Sequence, residues 1–141
     1  MAGTRHTAPQ TLLALDFGTR RTGVAVGNTL LRQAQPLTTL AAEGDAVFAR
    51  LEPLLAEWAP QALVVGIPFH PDGAAHDNTR RAERFARRLA GRFGLPVHRV
   101  DERYSTTEAL ASGAPDADAD AGAAAILLDQ FFRQQVSDAA A

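Results

Sequence analysis

The sequence has no cysteine, which excludes disulfides, thiolate metal sites and a cysteine nucleophile. It has no lysine either: all 14 of its basic side chains are arginine. A phosphate loop ending in Gly-Lys-Ser/Thr is therefore impossible, and no GxGxxG occurs. No window approaches the ~20 consecutive apolar residues that cross a bilayer. The opening MAGTRHTAPQ lacks the apolar core of a secretion signal. These absences lead us to expect a cytoplasmic protein with no membrane partner. The 141 residues suit one domain with a real core, with loose tails expected at about 1–10 and 137–141.

The net charge of −2 does not point to nucleic acid, but its distribution does. Between Asn78 and Arg103 eight arginines face three acids, whereas from Tyr104 onward one arginine faces six acids. Such asymmetry within one domain says more about partners than the total.

Two periodicities alternate along the chain. Leu12–Phe17 and Thr22–Gly27 read as β runs joined by GTRR, as in a tight hairpin, and Gln33–Leu40 reads as a more polar third strand. Apolar residues recur at helical spacing from Glu43 to Trp58, with Pro53 predicting a kink or a late start. ALVVGIP (62–68) has the unbroken apolar character of a strand buried on both faces. Thr79–Phe93 carries one clear apolar stripe and stops at Gly94, and Leu95–Asp101 reads as the last strand. Ser105 and Glu108 form a capping box for a short helix, and a final helix is expected from about Asp120 to Gln135. The order predicts an α/β protein, a mixed five-stranded sheet with helices on both faces.

Ligands of such sheets bind beyond the carboxyl ends of the strands. Asp16 ends the first strand, Asp101 and Glu102 end the last, and Asp120 opens the final helix. Carboxylates gathered at one edge repel one another, a conflict that a hard divalent cation resolves. Each acid also has an ordinary reading. Asp16 suits a turn, Asp120 a helix cap, and Glu102 an ion pair with Arg99 or Arg103.

The stretches LDFGTRRTGVAVG, VVGIPFHPDG, VDERYSTTEA and DADAGAAAILLDQFF resemble, in order and spacing, the signature blocks of the YqgF (RuvX) family. That family is described as pre-16S rRNA nucleases or Holliday junction resolvases. The resemblance implies a ribonuclease H-like fold and Mg²⁺- or Mn²⁺-dependent cutting at the 5′ end of the 16S ribosomal RNA precursor, free or in a ribosomal particle. Block by block it makes Asp16, Glu102 and Asp120 the catalytic, metal-ligating acids. Asp101 is the rival of Glu102, since adjacent strand residues face opposite sides. Gly18 and Gly23 match hairpin glycines, where small residues leave room for a phosphate backbone. Arg20 and Arg21 match a basic pair beside them, and Arg103 follows the second acid. The family's linker before the last helix is often longer and basic, whereas GAPDADAD is short and acidic. That shifts the expected substrate contacts to the arginines of the stripe helix, Arg84 and Arg88 foremost.

DFGTRRTG also resembles the phosphate-binding hairpin of actin-like ATPases and sugar kinases, but those close two such domains on a nucleotide. The stronger rivals are a non-enzymatic RNA-binding or ribosome-assembly module and a Holliday junction resolvase acting on DNA. His70 and His76 lack a familiar metal-ligand spacing, His98 reads as structural, and no GxSxG surrounds Ser105. The sequence leaves the oligomeric state open.

Overall fold

The computed structural model describes residues 9–70, 72–102 and 116–140, the side chains of 116–119 and 135–140 excepted. The described elements are β1 (Thr11–Asp16), β2 (Arg21–Asn28), β3 (Ala34–Ala41), α1 (Ala46–Trp58), β4 (Ala62–Ile67), α2 (Asp77–Phe93), β5 (Val97–Asp101) and α3 (Asp116–Ala140). The short helix expected at Ser105 and Glu108 lies outside the described residues, as does Arg103.

The strands form one sheet in the order β3-β2-β1-β4-β5. The first three make an antiparallel meander in which Asp16 stands opposite Gly23. β4 and β5 lie parallel to β1, each reached through a helix, as parallel neighbours require. This is the mixed five-stranded sheet that the sequence predicts. The carboxyl ends of β1, β4 and β5 consequently share one edge.

Side chains alternate across a sheet, and here the alternation builds two cores. Leu13, Leu15, Val24, Leu63 and Val65 pack on one face against Phe48 and Leu51 of α1 and Phe85 and Leu89 of α2. Leu12, Ala14, Ala25, Val64 and Val100 pack on the other against Ala124, Leu127, Leu128 and Phe132 of α3. β4 is buried along its whole length, which accounts for its unbroken apolar run.

Helix boundaries differ from the sequence reading in instructive ways. Pro53 neither starts nor stops α1, which runs from Ala46 to Trp58. Pro53 is exposed, and so is Ala49 one turn earlier, so water can satisfy the carbonyl that the missing N–H leaves over. α2 starts two residues early because His76 serves as its cap, an unusual residue for that position. The His76 side chain accepts from the Asn78 N–H, and Thr79 Oγ1 accepts from the His76 N–H. The Thr79 hydroxyl in turn donates to the Pro68 carbonyl, pinning the start of α2 to the end of β4. α3 begins at Asp116 and continues to Ala140, rather than spanning Asp120 to Gln135. Alanine favours helix and acids suit the positive end of the helix dipole, so DADAD continues the helix backward.

Candidate functional site

Strand parity decides which acids meet. Asp16 follows Leu12 and Ala14 in alternation, and Glu102 follows Val100, so both belong to the α3 face of the sheet. Asp101 has the opposite parity and belongs to the α2 face, together with Arg99, which pairs with Glu83 of α2. Glu102 hydrogen-bonds the Asp16 carboxylate. To do so it crosses β4 above Gly66, where a Cβ would lie 2.8 Å from Glu102 Cγ and Oε1.

This contact changes the charge of the pair. Burial, then the hydrogen bond to Asp16 and its charge, push the Glu102 carboxyl up to about 10. Burial raises Asp16 as well, with the Asp120 charge adding, while the hydrogen bond from Glu102 opposes the rise. At neutral pH the two carboxyls therefore hold a proton between them.

Asp120 lies one turn inside α3 and does not cap it. A Cβ at Gly23 would stand 1.8 Å from the Asp120 carbonyl oxygen, so the helix backbone rests directly on β2. Asp120 Oδ2 approaches Arg21 Nε at 3.2 Å. The contact lacks hydrogen-bond geometry, and this buried oxygen has no hydrogen-bond partner. Among the described residues no three His, Asp or Glu side chains stand close enough together to hold a metal ion. The set that fits is the Asp16–Glu102 pair, all hard oxygen, with substrate oxygens and water completing the shell. Mg²⁺ commonly binds in that way. Asp120 is near enough for its charge to act on Asp16, but its carboxylate does not close a three-acid cluster with the pair.

A cleft of about 300 Å³ opens over Glu102, lined also by Phe17, Gly18, Thr19, Pro68 and Asn78. Gly18 thus borders the cleft, but the space beside its Cα is taken by the Arg21 carbonyl oxygen, which would stand 2.5 Å from a Cβ at that position. The space beside Gly23 is taken by α3. Both glycines allow close approach within the protein, and Gly18 does so at the border of the cleft. Arg20 is exposed on the hairpin, while Arg21 is engaged with Asp120. Arg84 and Arg88 lie on the far face, exposed on α2. Arg88 is held by Asp45 at 2.6 Å and lies 4.8 Å from the centre of the Phe48 ring. His70 and His76 meet ring to ring at 4.6 Å, and His98 rests beside Phe131.

The sequence reading missed Gly66, although a glycine inside a buried strand is a known sign of close approach. It also missed the capping role of His76.

The RuvX family model, described as Holliday junction resolvase, matches residues 10–134. A relative in Albidiferax ferrireducens named "Putative pre-16S rRNA nuclease" is 68% identical over 124 residues, 88% of this chain and 78% of the relative. A relative of the same name in Polaromonas sp. is 64% identical over 124 residues, 88% of each. Among solved structures, T. thermophilus RuvC in complex with a Holliday junction substrate aligns with a TM-score of 0.58 at 20% identity. The alignment covers 90% of this chain and 96% of that one. This likeness shows that the fold is ribonuclease H-like. The family match takes in Asp16, Gly66, Glu102 and Asp120 together, and the chain belongs to the RuvX family.

Proposed function

We propose that this protein is a divalent-metal-dependent nuclease that hydrolyses phosphodiester bonds and matures the 5′ end of the 16S ribosomal RNA precursor. It would act in the cytoplasm, on the precursor alone or within a ribosomal particle. The observation that carries the chemistry is Glu102 reaching over Gly66 to share a proton with Asp16. A fold has little structural reason to bury two carboxyls against each other, since their separate burial costs stability. The substrate comes from the names of the relatives, which are similar over most of their length.

Asp16 and Glu102 would hold Mg²⁺ or Mn²⁺, with Asp120 as the additional donor. When bound, the ion lowers the pKa of its water and offsets charge on the leaving oxygen. Within the chain, Glu102 must first give up the proton it shares with Asp16, which couples metal affinity to pH. Arg21 keeps Asp120 in place from the β2 side. Arg20, exposed at the lip of the hairpin, offers a guanidinium to a phosphate entering the cleft. Thr19 and Asn78 on the cleft wall supply neutral polar contacts that orient the backbone.

The description attached to the family favours a second substrate, a four-way DNA junction. Labelled precursor RNA and a labelled junction, each incubated with Mg²⁺ and with excess chelator, separate the readings. The expected result is Mg²⁺-dependent cutting of the RNA near the mature 5′ end. Full cleavage in chelator would overturn the metal, and cutting of the junction alone would replace the substrate.

A further inference from the structure

A second recess lies across the sheet edge from the acids. It measures about 250 Å³, and its walls include Phe17, Phe48 and Phe85 with Arg81, Arg84 and Arg88. Phe48 and Phe85 are buried, while Phe17 is half-buried. Phe17 stacks on Phe85 with ring centres 4.5 Å apart and planes 25° apart, and Phe85 stacks in turn on Phe48 at 5.6 Å. Phe17 is therefore a shelf braced from behind, with part of its ring accessible. Its chain neighbour is Asp16, and it lines both this recess and the cleft over Glu102.

α2 joins the two cavities along a single line. Asn78 borders the cleft and Arg81 borders the recess, and Arg81 Nη1 donates to Asn78 Oδ1 at 3.1 Å. From Asn78 to Arg88 the helix advances about 15 Å at ~1.5 Å per residue. Of the three guanidiniums on this line, Arg88 is paired with Asp45, and Arg81 is tied to the neutral amide of Asn78. The charge of Arg81 and of exposed Arg84 is not balanced by these contacts, and it lies beside an accessible aromatic ring. Rings beside a cationic track form the general recognition chemistry of unpaired strands, whose bases are free to stack. A duplex keeps its bases stacked on one another and offers such a shelf only phosphate.

From this juxtaposition we infer that the recess is a binding subsite for an unpaired RNA strand leaving the cleavage site. One base would rest on Phe17, with the flanking phosphates on Arg81 and Arg84, while Arg88 is held back by Asp45. The inference rests on the nuclease reading for the direction of the strand, but its test is one of binding, made in chelator where no cleavage occurs. An inactive enzyme would therefore sink the nuclease reading and leave this one measurable.

The probes are a ten-nucleotide RNA without self-pairing and a blunt RNA duplex of the same length, with affinities read by fluorescence anisotropy. Phe17→Leu should weaken binding of the unpaired strand about tenfold, within the range of base–aromatic stacking, and leave the duplex unchanged. Phe17→Trp should restore the affinity, which a purely structural role for the ring would not predict. Arg84→Gln, at an exposed position, should flatten the log–log salt dependence of single-strand binding by about 0.7. Equal effects of Phe17→Leu on both probes, or none on either, overturn the shelf. An unchanged salt slope in Arg84→Gln overturns the track, and it can be read even where the Phe17 variants fold poorly.

Discussion

The two faces of the sheet solve opposite problems at the same edge. On the α3 face, side chains have been removed: Gly23, Ala25, Gly66 and Ala124 let a helix backbone and a glutamate lie directly on the strands. On the α2 face bulk is kept, with three stacked phenylalanines under a row of arginines. Carboxyls that must meet need the space that absent side chains leave, and they meet part-buried at the mouth of a cleft. Groups that grip a strand need surface and solvated charge. The difference teaches that proximity to the carboxyl edge does not by itself define a role, since Asp16 and Phe17 are neighbours in the chain and lie on opposite faces of the sheet.

The largest expected effect separates those tasks kinetically. Asp16→Asn should lower kcat by about 10²–10³-fold, the scale of losing a charged group at a reacting centre, with KM little changed. Arg84→Gln should do the reverse, raising KM while kcat stays within about twofold. Steady-state kinetics on labelled RNA make the measurement. If Arg84→Gln lowered kcat as severely as Asp16→Asn, the division between the faces would not hold.

A second pair of variants sharpens the comparison within the α3 face. Gly23→Ala drives a methyl into the backbone of α3 at Asp120, where nothing can rotate away. It should cost about 3 kcal/mol, at the upper end of overpacking penalties. The nearest atoms to a Cβ in Gly66→Ala belong to the side chains of Glu102 and Leu127, which can give way. It should keep most of the stability while displacing Glu102 and abolishing cleavage. Denaturant titration beside an activity assay reads both outcomes, and a stable, active Gly66→Ala protein would mean that Glu102 does not need that path.

A further effect lies in pH. Asp16 and Glu102 hold protons to higher pH folded than unfolded, so the native state binds more protons and stability falls as pH rises. The fall should begin near the ordinary carboxyl value of 4.5 and continue toward about 10. Melting temperatures in chelator should therefore decline from pH 5 to pH 9, roughly the span between those limits. Glu102→Gln should flatten the decline, because an amide keeps the hydrogen bond without the titration. A decline of the same slope in Glu102→Gln would assign it to other groups.

Much of this was legible in the sequence. The apolar runs located the strands, and the rule of alternating faces separated Glu102 from Asp101, which the structure places on opposite sides of the sheet. The parts that were not legible depend on contacts distant in the chain. Gly66 matters because of where Glu102 crosses it, and Arg88 is held by Asp45, 43 residues away. The early start of α3 was hidden because each aspartate in DADAD suits a cap and a first turn equally well.

The seating of α3 on Gly23 has a consequence for how this protein can vary. Because the helix is located by its own backbone against β2, the position of Asp120 is not dictated by the chain that leads into it. The seat of Asp120 is set instead where α3 meets β2. Replacing the chain that leads into α3 should therefore leave Asp120 docked against β2 as long as Gly23 is kept.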